Sequence, residues 1–72
     1  MRIDTPRYYE GPDGTKIWLL EGGFHRLDGP AIEHSDGNLR WYLDDRRYTF
    51  DEFLERTPIS PEEKFMLKLI YG

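Results

Sequence analysis

"HRLDGPAIEHSDGNLRWYL" (residues 25–43) decides the fold, because its second half has already occurred once in the chain. "DGTKIWLL" (13–20) lies over "DGNLRWYL" (36–43). Asp13 recurs as Asp36, Gly14 as Gly37, Trp18 as Trp41 and Leu20 as Leu43, at a spacing of 23 residues. The period also runs backwards, since "YYEGPDG" (8–14) overlies "AIEHSDG" (31–37) and pairs Glu10 with Glu33. Repetition over a stretch this long marks one supersecondary unit made twice.

Each copy has a short apolar or aromatic stretch, an Asp-Gly turn signal, and an alternating run through Trp. That is the pattern of a β-hairpin. Gly14 and Gly37 supply the positive φ that a tight turn demands. The expected strands fall near 7–11, 15–20, 30–34 and 38–43, with a short fifth at 46–48, in an antiparallel meander. "EGGFHRLDGPA" joins the hairpins, with Gly22 and Gly23 making a sharp reversal and Gly29-Pro30 closing the connection. Pro30 cannot donate to a ladder, so it belongs at a strand start or an edge.

After Tyr48 the apolar period changes from two to about 3.6 residues. "TFDEFLER" offers Thr49 as N-cap, Glu52 at N3 and a Tyr48–Phe53 staple. "SPEEKFMLKLIYG" offers Ser60, Pro61 at N1 and Glu63 at N3. Two helices are expected near 50–56 and 61–71, broken at Thr57-Pro58, with Phe65, Met66, Leu69 and Ile70 as the apolar stripe of the second. The expected fold class is α+β: a sheet of four to five strands built on residues 1–48 and a two-helix cap on 49–72, together one domain of 72 residues.

Composition narrows the function classes. A chain this short buries only about 60% of the surface its unfolded form exposes. With no cysteine it has no disulfide to staple it and no thiolate metal ligand. Eleven aromatics, 15% of the chain, supply dense packing instead. The net charge of −4 disfavours nonspecific nucleic-acid binding, and no direct nucleic-acid partner is expected. The acids are unevenly placed: residues 1–26 balance, while 27–49 and 50–72 each hold five acids against three bases. No apolar run reaches the length of a membrane span, and "MRIDTPRYY" lacks the apolar core of a secretory signal, so the expected location is cytoplasmic.

The "HRLDGPA" segment, the "DG…W" hairpin and the period together resemble the MORN repeat, in a variant of the form H-R-x-D-G-P-A associated with small bacteriophage and bacterial proteins. Residues 13–31 match one copy and 36–48 a degraded second, after which "YTFDEFL" stands where the next motif is due. The resemblance implies two MORN-like hairpins and protein or lipid binding. A thin basic surface argues against lipid. It also implies a virus-encoded setting, in which proteins under 80 residues are often inhibitors of a host system.

His25, Arg26 and Asp28, with Glu33 and His34, resemble a catalytic or metal cluster. The expected role is structural, with His25 and Asp28 bonding the backbone of the connection and Asp28 capping Gly29-Pro30. Gly14, Trp18, Gly29, Pro30, Gly37 and Trp41 complete the structural set. The two serines, Ser35 in a turn and Ser60 in a cap, have no oxyanion context, and no phosphate loop or H-E-x-x-H occurs. Neither enzyme activity, a metal nor a cofactor is expected.

Alternation puts Trp18, Leu20, Trp41 and Leu43 on one sheet face, the expected core, and Ile17, Leu19 and Tyr42 on the other, to which Tyr8 is also assigned. That second face and the acidic set Asp44, Asp45, Asp51, Glu52 and Glu55 are the expected partner-binding residues. The reading is a protein-binding inhibitor of a bacterial defence complex of the CRISPR type, acting in the host cytoplasm by steric occlusion or acidic phosphate mimicry. The partner is expected to be a nucleic-acid-handling host complex. The alternative is an assembly protein, either a homodimer formed through the sheet face and helix 61–71 or a module docking on a scaffold or membrane surface.

Overall fold

Both Asp-Gly segments close in the same way. In a computed structural model, which describes residues 5–72, the Gly14 amide donates to the Gly11 carbonyl at 3.0 Å and the Gly37 amide to the His34 carbonyl at 3.0 Å. One pair further out, Gly11 donates to Thr15 and His34 to Asn38, each at 2.8 Å. Gly14 and Gly37 sit at φ +90° and +93°, where a side chain would be strained. Each Asp then clamps its own turn. Asp13 accepts from the Thr15 amide and hydroxyl, both at 3.0 Å, and Asp36 from the Asn38 amide at 3.0 Å and side chain at 2.8 Å. Residues 1–4, part of the stretch read for a secretory signal, lie outside the described residues.

The turns generate β1 (Arg7–Glu10), β2 (Lys16–Leu20), β4 (Ile32–Glu33) and β5 (Leu39–Leu43), joined by β3 (Gly23–Phe24) and β6 (Arg46–Tyr48). All pairings are antiparallel, in the order β1-β2-β4-β5-β6, with β3 also on β2. The connection is therefore less irregular than expected. Its reversal falls one residue early, at Glu21 (φ 51°) and Gly22 (φ 82°), which frees Gly23 and Phe24 to pair with Leu20 and Leu19. The strand expected at 30–34 is reduced to Ile32–Glu33: Pro30 has no N–H to give, and His34 belongs to the Asp-Gly turn, accepting from the Gly37 amide.

Two helices follow: α1 (Phe50–Arg56) and α2 (Pro61–Tyr71). Each starts in a complete capping box, Thr49 with Glu52 and Ser60 with Glu63, and Pro61 occupies the first turn of α2. Between sheet and helices lie Trp41, Leu43, Phe53, Leu54 and Leu67. Trp41, 6% exposed, is the centre: its ring meets Phe50 at 4.8 Å, Phe53 at 4.9 Å and the edge of Tyr71 at 5.3 Å. Such aromatic pairs add about 0.5–1.5 kcal/mol each beyond burial.

Three expectations need correction. The helices cover Trp41 but leave Trp18 half-buried, since α1 and β6 follow β5 directly and reach only that end of the sheet. Tyr8 lies opposite Trp18 in the register and meets its ring at 5.0 Å, so it shares the Trp face, and Tyr9 is the residue beside Ile17. The stripe Phe65, Met66, Leu69 and Ile70 faces solvent, while Leu67 is the buried residue of α2.

Candidate interaction surface

The H-R-x-D-G-P-A segment spends its polar groups on the fold. Its chain is inserted where the second edge of β2 divides: the Trp18 carbonyl accepts from the His25 amide at 3.1 Å, and the Trp18 amide donates to Ala31 at 2.8 Å. Buried His25 accepts at Nδ1 from the Asp44 amide at 2.9 Å, tying the connection to the β5–β6 turn. Arg26 stacks its guanidinium on Trp18, 3.9 Å from the ring centroid. It donates from Nη1 to the Pro30 carbonyl and to Glu33, and from Nε to Asp28, each at 3.1 Å. Asp28 thus accepts from a guanidinium instead of capping the Gly29-Pro30 backbone, a correction to its expected role. The motif is short enough for the arginine to fold back on it. Gly29 leaves the room for it, because a Cβ at that position would stand 2.6 Å from Arg26 Cζ and displace the guanidinium. Thr57, almost fully buried, donates from its hydroxyl to Leu27 at 2.6 Å and pins the end of α1 to the motif. Among the described residues, no three of His, Asp and Glu converge as a metal site.

The acidic residues do not form one surface. Asp44 and Asp45 make the β5–β6 turn at φ 50° and 66°, and Asp45 accepts from the Phe24 amide at 3.1 Å. Glu52 accepts from the Thr49 amide at 2.9 Å, and that bond holds its carboxyl below the usual range. Asp51 and Glu55 border a shallow groove of about 520 Å³ between the helices, where Lys64 and Lys68 oppose their charge. A run of acids along the sequence is separated here into a turn, a cap and a mixed-charge groove.

The sheet face opposite the helices does bring Ile17, Leu19 and Tyr42 together. Phe24, opposite Leu19 in the register, joins them and meets the Tyr42 ring at 5.0 Å. These side chains are half-buried by their neighbours, so they form a textured face more than an open apolar patch. Tyr8 instead donates from its hydroxyl to Glu10 at 2.6 Å on the other side, a bond that raises its pKa.

The apolar surface that stands open is on α2. Phe65, Met66, Leu69 and Ile70 are 60%, 53%, 65% and 63% exposed, on the side of the helix opposite Leu67 and Tyr71. Positions i, i+1, i+4 and i+5 fall on one face of a helix. Sequence reasoning named these residues but aimed them inward. The signal for the correction was present: six of the eleven residues of α2 are large and apolar, too many for one buried stripe. Once α1 has filled the space over Trp41 with Phe50, Phe53 and Leu54, only Leu67 and the Tyr71 ring find room.

No family model matches the chain, and no curated protein or solved structure does either. The surface itself has to carry the functional reading.

Proposed function

We propose that the chain is a non-enzymatic protein-binding module that docks through the solvent-facing stripe of α2. The observation that carries this reading is the exposure of four large apolar side chains on one helix face, 53–65% each, in a chain whose mean hydropathy is −0.78. Contiguous exposed apolar side chains of this kind mark interaction sites. An amphipathic helix laid into a partner's groove is the recognition mode they suit. The stripe offers roughly half of the ~800 Å² per partner of a standard interface, so it forms the centre and the charged residues beside it the rim.

Within that class we propose a phage-encoded inhibitor that occludes a bacterial defence complex, of the CRISPR type, in the host cytoplasm. The resemblance to small MORN-like proteins supports the setting, and the open helix face favours steric occlusion. Phosphate mimicry draws less support, because the Asp45 and Glu52 carboxylates are occupied by turn and cap hydrogen bonds and Lys64 and Lys68 oppose Asp51 and Glu55. The same stripe supports a second reading, an assembly protein pairing α2 with α2 of another copy. No helix among the described residues is long and apolar enough to cross a membrane.

Affinity capture from a host lysate, with the eluate identified by mass spectrometry and the mass of the free protein measured by light scattering, tests both. A stoichiometric defence-complex subunit captured by the wild type and lost with Phe65→Glu or Leu69→Glu supports occlusion. A free protein of twice the chain mass, made monomeric by the same changes, replaces it with assembly.

A further inference from the structure

The helix-free face of the sheet carries a charge opposite to that of the whole molecule. The register puts Arg7 beside Leu19, Arg40 beside Ile32, and Arg47 beside Tyr42, all on the side away from α1 and α2. Among the described residues, no carboxylate takes a strand position on that side. Glu10 and Glu33 both flank Lys16 on the Trp18 side, and the remaining acids near the face, Asp44 and Asp45 among them, lie in turns at its ends. Among the described residues, no carboxylate comes within 4.0 Å of these three guanidiniums, whereas Arg26 on the opposite side has two. A chain of net charge −4 therefore presents one positive face.

Aromatic rings alternate with the guanidiniums on that face. Tyr9, 47% exposed, stands opposite Ile17, and the Phe24–Tyr42 pair fills the space beside Arg47. Cationic groups at the spacing of sheet positions, interleaved with rings, match a ligand that alternates anionic groups with flat π-faces. A single-stranded polynucleotide has that chemistry, and the wide, helix-free sheet is the kind of platform on which unpaired bases stack. An acidic peptide would use the arginines and leave the rings idle.

We propose that this face binds single-stranded nucleic acid, with Arg7, Arg40 and Arg47 on phosphates and Tyr9 and Tyr42 under bases. Three phosphate contacts imply weak, salt-sensitive binding, with log K falling against log salt at a slope of about −2. The proposal uses a different surface from α2 and stands or falls separately from it.

The test is fluorescence anisotropy with labelled oligothymidylate and oligouridylate of about twelve nucleotides, a length within the range of single-strand binding sites, titrated from low salt upward. The expected result is binding at low salt with the stated slope. Arg40→Gln and Arg47→Gln each reduce that slope by about 0.7, the share of one phosphate contact. Tyr9→Ala lowers affinity without changing the slope, and Phe65→Ser binds like the wild type. Thermal melts establish that each variant is folded. A preference for oligouridylate that persists against oligodeoxyuridylate, which shares its base, would add a 2′-hydroxyl contact to the proposal, and equal binding would assign the phosphate and base chemistry common to both. No binding at the lowest salt, binding indifferent to Arg40→Gln and Arg47→Gln, or tighter binding of a polyglutamate of equal charge would overturn the proposal, the last by giving the face to an acidic protein.

Discussion

Arg26 shows how much of the motif one side chain organises. Its planar fork reaches Asp28, Glu33 and the Pro30 carbonyl at once while lying flat on Trp18, a combination a lysine ammonium cannot reproduce. Arg26→Lys keeps the charge and is expected to cost about 1–3 kcal/mol, the range for charge-assisted hydrogen bonds, as read from urea denaturation. Gly29→Ala should act through the same group by driving the guanidinium off the ring, and should change Trp18 fluorescence together with stability. The turn carboxyls carry a pH prediction. Amide hydrogen bonds from Thr15, Asn38 and Thr49 hold Asp13, Asp36 and Glu52 below the 3.8–4.5 of free carboxyls. Their folded pKa values lie below the unfolded ones, so their contribution is complete above that range and is lost as pH falls through the folded values. Melting temperature should decline on the acid side of the range, and Asp13→Asn with Asp36→Asn should flatten that decline. The sequence exposed these turns because Asp-Gly encodes its own geometry locally. It did not expose the arginine clamp, which depends on Trp18 and Glu33 arriving from two different strands.

At the scale of elements, both helices were legible to the residue, since capping boxes and Pro61 are local signals. The direction in which α2 faces was not. That depends on how much space α1 leaves over Trp41, a tertiary quantity that no window of sequence contains. The consequence is an unevenly held pair of helices. α1 places Phe53 and Leu54 in the core and is pinned by Thr57, while α2 is held by Leu67 and the Tyr71 ring. Leu67→Ala should cost about 2–5 kcal/mol, as for other buried leucines. It should also release α2 in hydrogen exchange before the sheet opens. Ser60→Ala removes one cap and should cost about 1 kcal/mol, again felt first in α2. β3 escaped the sequence reading for a related reason: two residues have no period, and their pairing with β2 follows from a reversal that falls one position early.

The whole molecule is a sheet with two unlike sides, 18 Å through its thinnest dimension. One side takes the helices over Trp41 and leaves Trp18 to Arg26 and Tyr8. The other has rings and three arginines. Where a further H-R-x-D-G-P-A segment is due after Trp41, α1 stands instead, and Phe50 and Phe53 cover the second Trp as Arg26 covers the first. The repeat therefore ends in helices, and the apolar residues left over at that end are the stripe of α2. Those residues serve either a partner or the fold. Thermal denaturation of Leu69→Glu beside the wild type, with partner capture measured on the same two samples, decides this most directly. An unchanged melting temperature and lost capture are expected, because Leu69 is exposed in the free protein. A melting temperature lowered as far as that of Leu67→Ala, or capture that survives the change, would contradict it.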